Sequence, residues 1–412
     1  MLTRKRAESL ITGTVIFLIL IVIGKGLRPD IENIDAETQH RFREVAVASV
    51  NAERKAQGIE KKVVTDYALQ QWLDGQPDSL INDPEGLSPD HFLKRLPNKK
   101  LTLSQASMCC ISAESPGSLA TQLDLWKEAF KASTNVVAIR LYRHSRNKIG
   151  CILIAAKKVP KFDLSLFNNG QREFYVTCKK CQVSHLGKLE KCDLAIAVKC
   201  SQCNHSYDLI AADIVGNYHR ATHYLQGYGP PNEIGATAKT RSEEIYAIWS
   251  EVVQRCRYSK DLSGSGGRKD SWQVPPDTYS LRNGDCEDTA LLLADWLIAR
   301  GFNARVVIGE ANGKGEHAWC VAKLNGKQYL LETTLEKIPA RLPETQQASA
   351  HYRPRYAFDR HSIYFIKKAA ITTSDYFSSQ TWEGYTYPLP ASSSVASFAL
   401  HSPKSNAISR TP

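Results

Sequence analysis

The sequence predicts an α+β protein: a cysteine-bearing helix packed on an antiparallel sheet, a smaller α+β unit before it, and one transmembrane helix at the start. Three observations carry that expectation. Ser9 to Gly24 is uncharged and mostly apolar. An apolar helical run, Thr289 to Leu297, leads into alternating strand-like segments joined by Asn325-Gly326. Ahead of these, two β-branched runs, Val136–Tyr142 and Cys151–Ala155, flank a polar turn. The length of 412 residues suits two or three domains. With 42% hydrophobic and 23% charged residues, the composition excludes a bulk membrane protein, a coiled coil and a disordered chain. Eleven cysteines is an odd number, which excludes a scaffold stapled wholly by internal disulfides. The net charge of +11 is spread along the chain, and no nucleic-acid partner is expected from it.

Residues 1–29 read as a signal anchor. The apolar run is short of the roughly 20 residues that span a bilayer, but Arg6 and Lys25 at its ends can snorkel to the interfaces. No A-x-A site follows it, so retention is expected over cleavage. Arg4, Lys5 and Arg6 precede the run, which points to the N-terminus inside and the bulk of the chain outside the cytoplasm, with a cytosol-facing bulk, better suited to the thiol-rich sequence, as the alternative.

Residues 30–165 read as the small α+β domain. Ile34 to Gln57 holds good helix formers, and a second helix is expected at about 118–132, where Leu119, Leu123, Trp126 and Phe130 share a face. The two strands close it, with a turn at His144–Asn147. Beyond Tyr385 the Ser/Pro/Ala-rich residues 386–412 read as a disordered tail.

Residues 166–219 carry Cys178-x2-Cys181 and, after eighteen residues, Cys200-x2-Cys203. Each pair follows a short strand-like run. Four thiolates in two tight turns can close tetrahedrally on Zn²⁺, the layout of a zinc ribbon. Two disulfides are the rival reading in an oxidising compartment. Cys192, His185 and His205 are surplus to a closed four-sulfur site.

Residues 220–385 hold the chemistry. Arg241 to Tyr258 reads as an amphipathic helix. Asp285 is a natural N-cap with Asp288 as its box partner, which puts Cys286 at the first helical position. Free backbone N–H groups and the positive helix end there favour a thiolate. Glu287 reads as a surface residue and Cys320 as core. His317 starts one strand, and the return strand Lys327–Thr334 carries Glu332. With Asn325-Gly326 as a two-residue turn, Leu324 faces Lys327. His317 then falls near Thr334, with Glu332 diagonal to it on the same face. A thiol, an imidazole and a carboxylate form a nucleophile–base–orienter set.

Gly284-Asp285-Cys286-Glu287-Asp288-Thr289-Ala290, His317-Ala318-Trp319 and Leu331-Glu332-Thr333-Thr334, preceded by Trp272-Gln273-Val274-Pro275, resemble the transglutaminase-like cysteine enzyme superfamily over about 240–340. The resemblance implies a papain-like core with Cys286 as nucleophile, His317 as general base and acid, and Glu332 as third member. Many relatives have Asp at that third position. It also sets Trp272 near the oxyanion side, although the Cys286 N–H is the better donor. The expected function is a membrane-anchored thiol enzyme acting on peptide or side-chain amides, hydrolytic in preference to cross-linking, with a protein or peptide substrate and no catalytic cofactor. The alternative is an inactive scaffold that binds partners through the ribbon and the N-terminal domain.

Overall fold

The computed structural model describes residues 34–76, 101–114, 127–145, 148–178, 180–182, 184–191, 194–259, 271–367 and 373–387. The expected anchor and almost all of the expected tail lie outside these residues. Among the described residues no helix is long and apolar enough to cross a membrane. The chain separates into two compact units, residues 1–188 with 200–205, and residues 189–199 with 206–412. The boundary falls within residues 166–219, the segment expected as the zinc ribbon.

The first unit holds α1 (Ala36–Ala56), β1 (Val64–Thr65), α2 (Tyr67–Asp74), β2 (Leu103–Ala113), β3 (Val136–Ser145), β4 (Lys148–Lys158), α3 (Leu164–Asn168) and β5 (Tyr175–Thr177), and most of β6 (Ser184–Lys191). Strands β1, β3, β4 and β2 form one sheet in that order. Both faces of β3 and β4 are buried. Val137, Ile139 and Leu141 pack with Phe42, Ala46 and Val50 of α1, and Val136 and Ala138 pack with Leu69 and Leu73 of α2. That double burial explains the unbroken apolar run of β4. The helix expected at 118–132 is not borne out where it can be seen: residues 127–130 form a turn. Strand β2, which sequence patterning missed, pairs with β4 along its whole length.

The second unit adds all but the last residue of β7 (Ile196–Cys200), β8 (Ser206–Ala212), β9 (Tyr218–Arg220), α4 (Arg241–Arg255), β10 (Arg257–Tyr258), α5 (Pro275–Leu281), β11 (Asn283–Gly284), α6 (Cys286–Ala299), β12 (Asn303–Ala311), β13 (Gly315–Leu324), β14 (Lys327–Leu331), α7 (Thr345–Ala348), β15 (Tyr352–Phe358), β16 (Ser362–Ile366) and β17 (Trp382–Thr386). Its main sheet runs β14-β13-β12-β15-β16-β17, antiparallel throughout. Val306, Ile308, Ala318 and Cys320 share the core with Leu291, Leu292, Leu293 and Trp296 of α6. The alternate residues, Val307, Trp319 and Val321, lie in a second cluster with Tyr376 and Trp382. Helix α6 is buried from Cys286 to Leu297, so its sequence is apolar all round instead of striped. Towards its C-terminal half the buried carboxylate of Asp295 accepts hydrogen bonds from the Gly227 and Tyr228 N–H groups and from Arg360.

Two local predictions are met residue for residue. Leu324 pairs with Lys327 and the register holds back to Cys320 and Leu331, around a turn with Asn325 and Gly326 both at positive φ (47° and 80°). Gly301, at φ 76°, ends the last turn of α6. Two elements are shorter than expected. Helix α4 stops at Arg255, and β14 stops at Leu331, so Glu332 to Thr334 leave the sheet.

Candidate active site

Cys286 opens α6 because the residues around it fix the turn. Asp285 is the N-cap, and the Asp285 N–H returns to Asp288 Oδ2 at 3.3 Å, completing the capping box. Asp288 Oδ1 also accepts the Gln273 N–H at 2.8 Å. Gly284 is needed for this close approach, since a Cβ there would lie 2.7 Å from the Asp288 Cβ. At the first helical position the Cys286 N–H has no intrahelical acceptor and is available to a developing oxyanion.

The thiol is buried. Sγ donates to Glu287 Oε2 at 3.2 Å and accepts the backbone N–H of Ala318, the residue after His317. The helix cap and the strand that carries the imidazole therefore meet at the sulfur.

His317 sits on β13 opposite Gly309 of β12. A bulge between Ile308 and Gly309 shifts β12 against β15 at that point, and a Cβ on Gly309 would lie 2.2 Å from the Arg353 carbonyl oxygen. Only glycine fits beside His317 there. His317 Nε2 lies 2.8 Å from Glu332 Oε2. That contact leaves Nδ1 as the nitrogen for proton transfer.

Glu332 is held from several directions. Oε1 accepts the Thr334 N–H (2.9 Å) and hydroxyl (2.8 Å), Oε2 accepts the Tyr352 hydroxyl at 3.0 Å, and Lys314 Nζ lies 3.4 Å away. Its backbone carbonyl accepts the Trp249 indole N–H at 2.8 Å. The Thr289 and Thr333 hydroxyls, 2.8 Å apart, tie this segment to α6. Burial works against ionising Glu332, but His317, the Thr334 N–H and Lys314 outweigh it and hold the carboxyl at about 2. The group is an anion at neutral pH, suited to orient His317 and to balance an imidazolium.

The geometry thus brings Cys286, His317 and Glu332 together at one end of α6, and corrects three finer expectations. Glu287 is not a surface residue: it is fully buried against the thiol. Burial, then the charges of Asp285 and Asp288, push its carboxyl well above the usual range. The thiol is not set up as a resting thiolate either. Burial, then Glu287 and Asp285, push it well above its ordinary value, outweighing the helix end. Among the described residues it makes no hydrogen bond to the imidazole. Trp272 does not offer its indole N–H to an oxyanion, because that N–H donates to the Leu194 carbonyl at 2.8 Å while the ring stacks 5.6 Å from Phe358. Sequence reasoning missed Tyr352, Lys314 and Trp249. Lys314 alone had a local signal, three residues ahead of His317.

Glu287→Gln tests this electrostatic picture. A raised carboxyl binds its proton more tightly in the folded state, so it makes stability fall as pH rises above its unfolded value near 4.5. The variant is expected to flatten that decline and to move iodoacetamide alkylation of Cys286 to lower pH. An alkylation profile that stays put or moves upward would show that Glu287 does not govern the thiol.

Four more cysteines converge in the first unit. Cys178, Cys181, Cys200 and Cys203 place their sulfurs within 4.8 Å of one another, with 3.5 Å from Cys178 to Cys203 and 3.9 Å from Cys181 to Cys200. Both turns have the same form. The Gln182 N–H bonds to the Cys178 carbonyl and the Asn204 N–H to the Cys200 carbonyl, each at 2.9 Å, and Gln182 and Asn204 are both left-handed, at φ 59° and 56°. None of the four is in a disulfide.

Residues 231–331 match the transglutaminase-like superfamily, a span that includes Cys286 and His317 and ends one residue before Glu332. No curated protein matches the chain. Among solved structures, Legionella pneumophila LapG is similar at 18% identity, covering 36% of this chain and 87% of LapG with a TM-score of 0.28. A candidate cysteine protease of Cytophaga hutchinsonii is similar at 13% identity, covering 62% of this chain and 75% of its own, with a TM-score of 0.22. A candidate protease of Parabacteroides distasonis is similar at 12%, covering 60% and 40%, with a TM-score of 0.24.

Proposed function

We propose that the protein is a transglutaminase-like thiol enzyme that cleaves peptide or side-chain amides, tethered to a membrane by Ser9–Gly24. The observation that carries the reading is the convergence at one helix end. Ala318 N–H reaches the Cys286 sulfur, and the neighbouring imidazole is fixed through Nε2 by an ionised Glu332. The resting thiol is neutral, so its proton passes to His317 Nδ1 as the sulfur attacks the substrate carbonyl carbon. The carbonyl oxygen becomes an oxyanion against the Cys286 N–H. Collapse breaks the C–N bond, and the imidazolium gives its proton to the leaving amine. A thioester remains on Cys286. His317 then deprotonates water, hydroxide attacks the thioester, and the sulfur leaves to recover its proton. An amine in place of water would give transfer.

The test is incubation of the full chain with a proteome-derived peptide library, alone and with an added primary amine. New termini in the wild type and none with Cys286→Ala are expected. Products that carry the amine in preference to water would assign transfer. Cleavage that persists in Cys286→Ala would sink the reading. The second reading, an inactive scaffold, is favoured by the thiol bonding to Glu287 and not to the imidazole. It predicts no new termini from the wild type.

We further propose that the four-cysteine cluster holds one structural Zn²⁺. A tetrahedron with Zn–S bonds of about 2.3 Å has edges of about 3.8 Å, close to the two sulfur separations quoted above. Four thiolates leave no open position for catalysis. One zinc per chain is expected, released by an organomercurial and counted with a chromogenic chelator, and lost in Cys178→Ser/Cys200→Ser. No zinc, with a mass two hydrogens lighter per cysteine pair, would assign disulfides instead. The modest excess of basic residues ahead of Ser9–Gly24 supports a bulk outside the cytoplasm. A thiolate zinc site and a reduced thiol nucleophile favour the opposite face, where thiols stay reduced.

A further inference from the structure

Beside the catalytic cap, α4, β10, α5 and β11 line an open surface cavity of about 850 Å³, with Glu251, Arg255, Arg257, Tyr258, Leu281 and Arg282 among the lining residues. Its charge is uneven. Arg255 is engaged by Glu251 at 3.4 Å and lies over the Tyr279 ring. Arg257 and Arg282 are exposed, and among the described residues neither guanidinium has a carboxylate partner. Among the described lining residues, three arginines against one glutamate leave an excess of positive charge.

The position of Arg282 sharpens this. It caps α5 at φ 56°, ψ 31°, a left-handed conformation that glycine adopts at less cost. A side chain held there places a guanidinium on the cavity wall. The cavity also adjoins the nucleophile. Arg257 pairs with Asn283 and Tyr258 with Gly284, two residues before Cys286. Tyr258 feels burial first, then the charges of Cys286, Asp285, Glu287 and Glu332, which together push its hydroxyl up to about 12. It therefore stays neutral and does not cancel the arginines.

We propose that this cavity is a substrate subsite for an acidic side chain, Asp or Glu, of an extended peptide whose scissile bond lies at Cys286. The proposal rests on the thiol-enzyme reading for what the bound peptide is for. Asn283 is three residues from the nucleophile, so the chain can separate the two by at most about 10 Å, and the carboxylate site lies within about three substrate residues of the scissile bond. Charge-assisted pairs to two guanidiniums supply the discrimination.

The experiment reads binding and cleavage separately. Full-length Cys286→Ala is immobilised and exposed to a proteome-derived peptide library, and retained peptides are sequenced. Retention of Asp- or Glu-containing peptides is expected to exceed that of neutral ones by about tenfold. The preference should collapse when Arg257→Gln/Arg282→Gln is added, and fall in Arg282→Gly, which relieves the backbone strain and keeps the fold. Lys61→Gln/Lys62→Gln on the first unit controls for the overall positive charge and should change nothing. Equal retention of acidic and neutral peptides overturns the proposal, as does a preference that survives both arginine variants or is lost in the lysine control. If acidic peptides are retained but wild type cleaves none, the subsite stands and the enzymatic reading fails.

Discussion

His317→Gln is expected to slow peptide cleavage by about 10³-fold while the protein stays folded. Glutamine can still donate to Glu332 from its amide, so the buried carboxylate keeps a partner and the large penalty of stranding a charge is avoided. It cannot accept the thiol proton or return one to the leaving amine. A positioned acid–base group typically contributes 10²- to 10⁴-fold, and here one imidazole serves both half-reactions. The thiol gives a reason to expect the upper part of that range. Burial, Glu287 and Asp285 hold it neutral, so little thiolate exists without a base. The signature to measure is a drop in kcat and kcat/KM together, because the step lost is made only in the transition state. Circular dichroism and Tm report whether the fold is kept. Cleavage within a few-fold of wild type would remove His317 from the mechanism and assign the proton to another group.

How far the site was legible from sequence follows how local each determinant is. The capping box at Asp285 and Asp288 involves residues three apart, and the pairing of β13 with β14 needs only a two-residue turn. Both were readable. The contact of His317 with Glu332 follows from that hairpin, although Glu332 reaches it from just past the end of β14. Glu287 was misread because a helix position says little about exposure when the helix is packed on every side, as α6 is. The helix-end argument for a thiolate was sound for an exposed cap and failed for a buried one with carboxylates beside it. Tyr352 was out of reach because β15 enters the sheet next to β12, which sequence separation does not announce. The same applies to Trp249, whose partner is the Glu332 carbonyl eighty-three residues away. Sequence could not show that Arg257 and Arg282 line one cavity, since that depends on the two-residue parallel pairing of β10 with β11.

Glu332→Gln is the second large effect, and it separates orientation from charge. The amide keeps the shape and its oxygen can accept from Thr334, yet it cannot balance an imidazolium, and its NH₂ then faces both the Tyr352 hydroxyl and the imidazole, which shared Oε2. Cleavage is expected to fall by about 10²- to 10⁴-fold. The pH dependence of stability gives an independent check. The folded carboxyl titrates near 2, against 4.5 without the folded environment. A depressed carboxyl contributes stability that is present above about 4.5 and is lost as pH falls towards 2, because the unfolded chain takes up its proton first. The shift corresponds to roughly 3 kcal/mol at neutral pH, most of it from the His317 pair, the Thr334 N–H and Lys314. The variant should therefore be less stable than wild type at pH 7 by up to that amount, and the difference should shrink as both are taken from pH 5 to pH 2. Urea midpoints across that range would measure it. A difference that stays constant with pH would mean that the lost stability comes from packing and not from the charge. The ion pair that fixes His317 would then have to be dropped as the reason for its orientation.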